Sequence, residues 1–145
     1  MNEQRQQAYL QFLSEVLQVT ADSNGDTQAV YPLLANNTDK IDGVLAEILL
    51  QWGRNALRQA EANAAQSIAE NIANFSNLIQ QFPLGDKVSN MEIAITGYEI
   101  ALTVYTRTAF PQDWARTQNN LGIAYRNRID GDKAQNLELA ISAYT

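Results

Sequence analysis

Cysteine and histidine are both absent from the 145-residue chain. The first absence excludes disulfides, thiolate metal ligands, iron–sulfur clusters and thiol nucleophiles. The second excludes imidazole ligands and the Ser–His and Cys–His pairs of nucleophilic catalysis. Charge is sparse, at 18% of residues, and leans negative, with 16 Asp and Glu against 10 Lys and Arg. The basic residues form no stripe, which argues against nucleic acid as a partner. No apolar run approaches the roughly 20 residues that span a bilayer, so no membrane partner is expected. Met1–Gln7 is polar and leads into no apolar segment with a cleavage site, which makes the cytoplasm the expected location. Proline occurs only 3 times. What the chain does have is 20 Ala, 14 Asn and 14 Gln. These are a good helix former and many neutral hydrogen-bonding groups, with few tools for acid–base chemistry.

Periodicity predicts an all-α fold of about seven helices. In 2–18, Tyr9, Phe12, Leu13, Val16 and Leu17 share one helical stripe. Asp22–Asp26 is a loop; it lacks the Gly and Glu that a calcium loop needs at its sixth and twelfth positions, where Thr27 and Leu33 stand. A short helix over Thr27–Ala35 follows, with Pro32 at its break or start. Helices are predicted over 39–58, with Ile41, Val44, Leu45, Ile48, Leu49 and Trp52 on one stripe, and over 60–82, ended by Pro83. Residues 89–107 are rich in β-branched side chains, which suits a strand. The stretch is long for a strand, and Met91, Ala94, Ile95, Tyr98, Leu102 and Tyr105 keep the helical period. It reads as a helix with a second apolar face at Ile93, Ile100 and Val104, sandwiched between neighbours. Two further helices are expected over 112–128 and 133–145, with Asp113 and Asp132 as N-caps and Gly131 in the turn between them.

The chain also repeats itself. Shifted by 46 residues, 68–99 aligns with 114–145, and the pairs Asn74/Asn120, Gly85/Gly131, Asp86/Asp132, Lys87/Lys133, Asn90/Asn136, Glu92/Glu138, Ala94/Ala140, Ile95/Ile141 and Tyr98/Tyr144 are identical, as is Ala69/Ala115. Each unit reads as helix, Gly-Asp turn, helix. Residues 1–59 then form an N-terminal helical cap, about 60–113 the first unit and 114–145 a second unit that stops in mid-helix. By the same shift the last helix would run about 8 residues past Thr145. Its apolar face, with Leu137, Ile141 and Tyr144, is expected to be exposed and to drive self-association, an isologous dimer being the simplest closed form.

Leu121-Gly122-x-x-Tyr125 followed by Ala140-x-x-x-Tyr144, with Ala94-x-x-x-Tyr98 in the first unit, resembles the tetratricopeptide (TPR) signature. The period departs from it, at 46 residues against 34, and Phe75-Ser76-x-x-Ile79 is a degenerate version of the first motif. The stretch from Asn90 to Tyr125, with Ala101–Arg107, Ala109-Phe110-Pro111 and Asp113-Trp114-Ala115, is similar to long-period TPR arms of multi-domain proteins from photosynthetic bacteria, which often precede a caspase-like CHAT domain. No Cys–His dyad can be built from this sequence. The resemblance therefore implies a scaffolding or regulatory arm that binds a protein or peptide, or a purely structural module, with no enzyme activity and no cofactor or metal.

Carried over by register, the inner groove of such an arm marks Arg116, Asn119, Ile123, Arg126 and Asn127 as partner-binding; otherwise they form a solvated helix face. Ala94, Tyr98, Leu121, Gly122, Tyr125, Ala140 and Tyr144 are implied as repeat-structural. Asn120 is expected to bond a neighbouring backbone, and Trp52 and Trp114 to pack between helices. A small carboxylate enzyme is the other reading. It would rest on the repeated Glu92 and Glu138, whose position near a helix start has an ordinary electrostatic explanation.

Overall fold

The computed structural model describes residues 2–144; beyond Ala134 it describes the side chains of Leu137 and Ile141 alone. The fold is all-α. Six helices follow in order: α1 (Glu3–Ser23), α2 (Thr27–Ala35), α3 (Gly43–Gln59), α4 (Ala62–Gln81), α5 (Lys87–Leu102) and α6 (Pro111–Tyr144), with a 3-10 turn at Thr38–Lys40. No strand occurs among the described residues.

Side-chain caps set most of the helix starts. Asn2, Asp26, Asp42 and Asp86 are N-caps whose side chains accept from the backbone N–H of Arg5, Gln28, Leu45 and Ser89. The α1–α2 turn uses Asn24 at φ 56° and Gly25 at φ 77°, both left-handed, so two helices meet with almost no loop. Pro83 forbids helical geometry to the residue before it, and Phe82 is extended at φ −64° and ψ 125°, which closes α4.

The main core is a continuous apolar cluster from Tyr9 to Ala124, with a smaller buried cluster of Ala69, Ala101 and Tyr105 beside it. It includes the whole predicted stripe of α1, and it joins α1–α3 to α4–α6 across residue 59 without a break. Polar ties reinforce it. The Tyr9 hydroxyl donates to Asp42 at 2.5 Å, Tyr31 to the Leu78 carbonyl at 2.9 Å and Asn71 Nδ2 to the Leu17 carbonyl at 2.9 Å.

Helix α5 occupies the centre and packs on α3, α4 and α6. It is apolar on both predicted faces: Met91, Ala94, Ile95 and Tyr98 are buried, and so are Ile93 and Ile100. The helix stops at Leu102, earlier than the sequence pattern suggests, and the chain turns over residues 103–109. Two glycines let its neighbours approach. A Cβ on Gly97 would lie 1.9 Å from Ser76 Oγ of α4, and one on Gly53 of α3 would lie 2.9 Å from Ile100 Cδ1. Backbones come this close only where a side chain is missing.

The expected turn at Gly131 is not formed: α6 runs unbroken from Pro111 to Tyr144, so the described residues hold six α-helices and not seven. Asp113 and Asp132 are not N-caps. Asp113 lies in the first turn and pairs with Arg116, while Asp132 is inside the helix. The physical reason lies just upstream of the shared Gly-Asp-Lys. In the first unit Pro83-Leu84 precedes Gly85, which adopts φ 79°. In the second, Ile129-Asp130 stands there, and nothing blocks helical propagation. Gly131 serves a different end, since its absent Cβ would lie 3.0 Å from Val88 Cγ2, where α6 crosses the start of α5.

Other expectations fare unevenly. Trp52 is 37% exposed and contributes less to the core than its stripe neighbours. Ala64 is exposed as well. Leu121 and Tyr125 are half-buried against the core, and Ala94 and Tyr98 are fully buried. Gly122 is exposed, and a methyl group added there would meet nothing within 4 Å. The side chains of Ala140 and Tyr144 lie outside those described.

Two stability outcomes follow. Tyr98→Ala is expected to cost about 3–5 kcal/mol, Leu121→Ala about 2 because it is only half-buried, and Arg126→Ala under about 0.5, read from urea melts. Gly97→Ala should cost about 1–3 kcal/mol through the clash with Ser76, and Ser76→Gly in the same chain should recover much of it. Additive losses in that pair would disprove the close approach.

Candidate functional site

A polar groove of about 240 Å³ opens between α4 and α6, floored by residues of and just after α5. Helix α4 lines it with Gln66, Glu70, Asn74 and Asn77, at the three- and four-residue spacing that keeps side chains on one face. Helix α6 contributes Asp113, Arg116, Thr117 and Asn120 by the same spacing. Beyond Glu70 and Asn74 the surface continues into a smaller hollow against the end of α1, where Asn71 Oδ1 is buried without a partner.

Hydrogen bonds join the three helices beneath the groove. The Tyr98 hydroxyl reaches Asn77 Oδ1 at 2.6 Å and Gln80 Oε1 at 2.8 Å; having one proton, it donates to one of them at a time. Asn120 Nδ2 donates to the same Asn77 Oδ1 at 3.1 Å. Asn120 thus bonds a side chain of α4, where the sequence reading expected a nearby backbone group. Arg116 is paired with Asp113, so the groove presents carboxamides and a closed ion pair, with Glu70 as its remaining charge.

Of the five residues marked by register, Arg116 lines the groove. Ile123 and Asn127, seven residues beyond Arg116 and Asn120, are half-buried and continue that stripe. Asn119 and Arg126 lie on the next stripe around the helix and are exposed. The register on α6 gives no sign of the contribution from α4. The repeat held a signal for it, because Asn74 and Asn120 are an identical pair and both line the groove.

Elsewhere Glu92 pairs with Arg128 at 3.5 Å, and Tyr125 donates to Glu99 at 2.8 Å, so these carboxylates tie α5 to α6. Arg107 stacks over the half-buried Trp114 ring at 5.6 Å. A second, more apolar hollow of about 430 Å³ lies between α3 and α5, lined by Leu57, Ile100 and Val104 together with Arg54 and Arg58. Among the described residues no group of three or more acidic side chains is gathered in a way that suits a metal ion, and no helix is long and apolar enough to cross a membrane.

Comparison with protein-family models, with curated proteins and with solved structures finds no match to this chain.

Two tyrosines under the groove resist ionisation. Burial raises Tyr98 well above its ordinary value of 10. Burial first, then the Asp113 and Glu70 carboxylates, push Tyr105 up to about 12, against the opposing pull of Arg116. The unfolded chain ionises both near 10, so the stability they contribute is complete below that pH and is lost as pH rises toward 12. The unfolding free energy from urea melts should therefore hold steady up to about pH 9.5 and then fall, by at most about 1.4 kcal/mol per pH unit for each tyrosine and by less for Tyr105, which solvent screens more. Tyr105→Phe should make the fall shallower. An unchanged slope in that variant would show that Tyr105 is not protected.

Proposed function

We propose that the chain is a protein-interaction module that binds an extended peptide segment along the α4–α6 groove. The observation that carries this reading is the carboxamide lining: Gln66 and Asn74 from one helix face Asn120 from the other across an open cleft. Each carboxamide offers a donor and an acceptor, the pair of groups that an extended peptide backbone presents in turn. Because Arg116 is already paired with Asp113, the groove favours exposed backbone over an acidic peptide. The TPR resemblance supports the same reading, since it makes α4 and α6 the groove-lining helices and α5 the helix between them. The proposed setting is a cytoplasmic scaffolding or regulatory arm, of the kind the long-period bacterial resemblance implies.

The test is selection from a random library of unstructured peptides, followed by titration of the enriched sequences by fluorescence anisotropy. Asn74→Ala and Gln66→Ala should each weaken binding about tenfold, roughly 1.4 kcal/mol, while Arg126→Ala stays within about twofold. Failure to enrich any peptide, as a purely structural arm would give, overturns the proposal. So does binding that ignores both groove variants.

A further inference from the structure

The internal repeat assigns a partner to a helix face that the fold leaves bare. In the first unit, α5 covers the face of α4 that carries Ala69, Ile72, Ser76 and Ile79, with Gly97 set against Ser76. The second-unit counterparts on α6 are Ala115, Gln118, Gly122 and Tyr125. Here Ala115, Gln118 and Gly122 are exposed, and a Cβ on Gly122 would meet nothing within 4 Å. Ile129, two turns beyond Gly122, is 48% exposed. The element that should cover this face is the counterpart of α5, which is residues 133–144. In this fold that segment continues the same helix, so it cannot turn back onto Gly122 of its own chain.

We propose that it covers Gly122 of a second copy, and that the chain forms a two-fold symmetric dimer through antiparallel pairing of α6. Three features support this arrangement. The first is helical phase. At about 100° per residue, Ile129 and Lys133 fall within roughly 20° of Gly122 on the helix circumference. The covering stripe and the covered stripe therefore occupy one side of one rod, as an antiparallel pair about a two-fold axis requires. That side points away from Ala124 and Arg128, which contact α5 and its Glu92.

The second is register. The close pair Ser76–Gly97 has the sequence counterpart Gly122–Ala143, small against small. Placing Gly122 opposite Ala143 of the other copy puts the symmetry axis between Asp132 and Lys133. The third is charge. At that axis each exposed Asp132 meets the exposed Lys133 of the other copy, so two opposite-charge pairs form where like charges would repel. Leu137, 62% exposed, flanks the same face, and its first-unit counterpart Met91 is buried at 2%.

The test is sedimentation velocity of the intact chain over a concentration series, with disulfide trapping as a second readout. The wild type should sediment as a dimer at tens of micromolar. Gly122→Leu faces open space in one copy, so its circular dichroism should be unchanged while dimerisation weakens at least tenfold. Asp132→Lys should weaken dimerisation similarly, and Lys133→Asp added to it should restore the dimer. The chain has no native cysteine, so Gly122→Cys with Ala143→Cys should give a covalent dimer under mild oxidation. An intramolecular disulfide would mean that 133–144 folds back on its own chain, and it would overturn the proposal. A monomer at all concentrations, or a dimer indifferent to Gly122→Leu and to the charge exchange, would overturn it too.

Discussion

Everything in this fold depends on how closely α5 is held. Helix α5 touches three other helices, and it can do so only because Gly97 removes a side chain toward Ser76 and Gly53 removes one toward Ile100. With the helices that near, Tyr98 reaches through to Asn77 and Gln80, and Asn120 of α6 reaches the same Asn77. The groove inherits its width from this relay. Close packing also carries a penalty, because Ser76 Oγ is buried with no hydrogen-bond partner. A buried hydroxyl in that state costs about 1–3 kcal/mol, which the surrounding apolar contacts must outweigh.

Composition shapes the surface of the groove. A chain with few charges and many amides places Asn and Gln where other helical proteins place Lys and Glu. Neutral amides can be partly desolvated between helices at far smaller cost than ions. That permits a polar cleft directly above buried tyrosines, and it explains why Tyr98 and Tyr105 hold their protons: the apolar core starts immediately below the amide layer.

The sequence made the first five helices legible where periodicity agreed with a cap or a breaking proline, but not the run through Gly131 and Asp132. The stripe of α1 emerges as read, Pro83 closes α4, and the short helix spans Thr27–Ala35, although Pro32 neither breaks nor starts it but lies inside it. Residues 89–107 were legible as a doubly apolar helix because two offset stripes imply neighbours on two sides, although the end of the helix was not, since Thr103 and Val104 keep the apolar pattern through a turn. A register could be drawn on α6, but of the five residues it marked only Arg116 lines the groove. The α4 half was hidden because Gln66, Asn74 and Asn77 look like any solvated helix face until a second helix is laid across them. Trp52 misled for the opposite reason. Its position on the stripe is right, but it is 37% exposed in the middle of α3, although Leu49 and Gly53 beside it are buried.

The two Gly-Asp-Lys segments make the deeper point about how local sequence dictates structure. Both carry the residues of a turn and cap: Gly85 and Asp86 use them, with Asp86 accepting from Ser89 N and Asn90 Nδ2 bonding the Leu84 carbonyl. Gly131 and Asp132 are the same residues inside a continuous helix. A cap stabilises a helix start that already exists by about 1 kcal/mol, whereas a proline costs about 3 kcal/mol or more inside a helix. The larger effect decides. Where Pro83 interrupts the backbone the cap residues are engaged, and where Ile129 continues it they are absorbed, at a cost of about 1 kcal/mol for the glycine. That difference is small enough for contacts made elsewhere to tip the balance. In α6 the close approach of Gly131 to Val88, where an added Cβ would lie 3.0 Å from Cγ2, weighs on the side of the continuous helix.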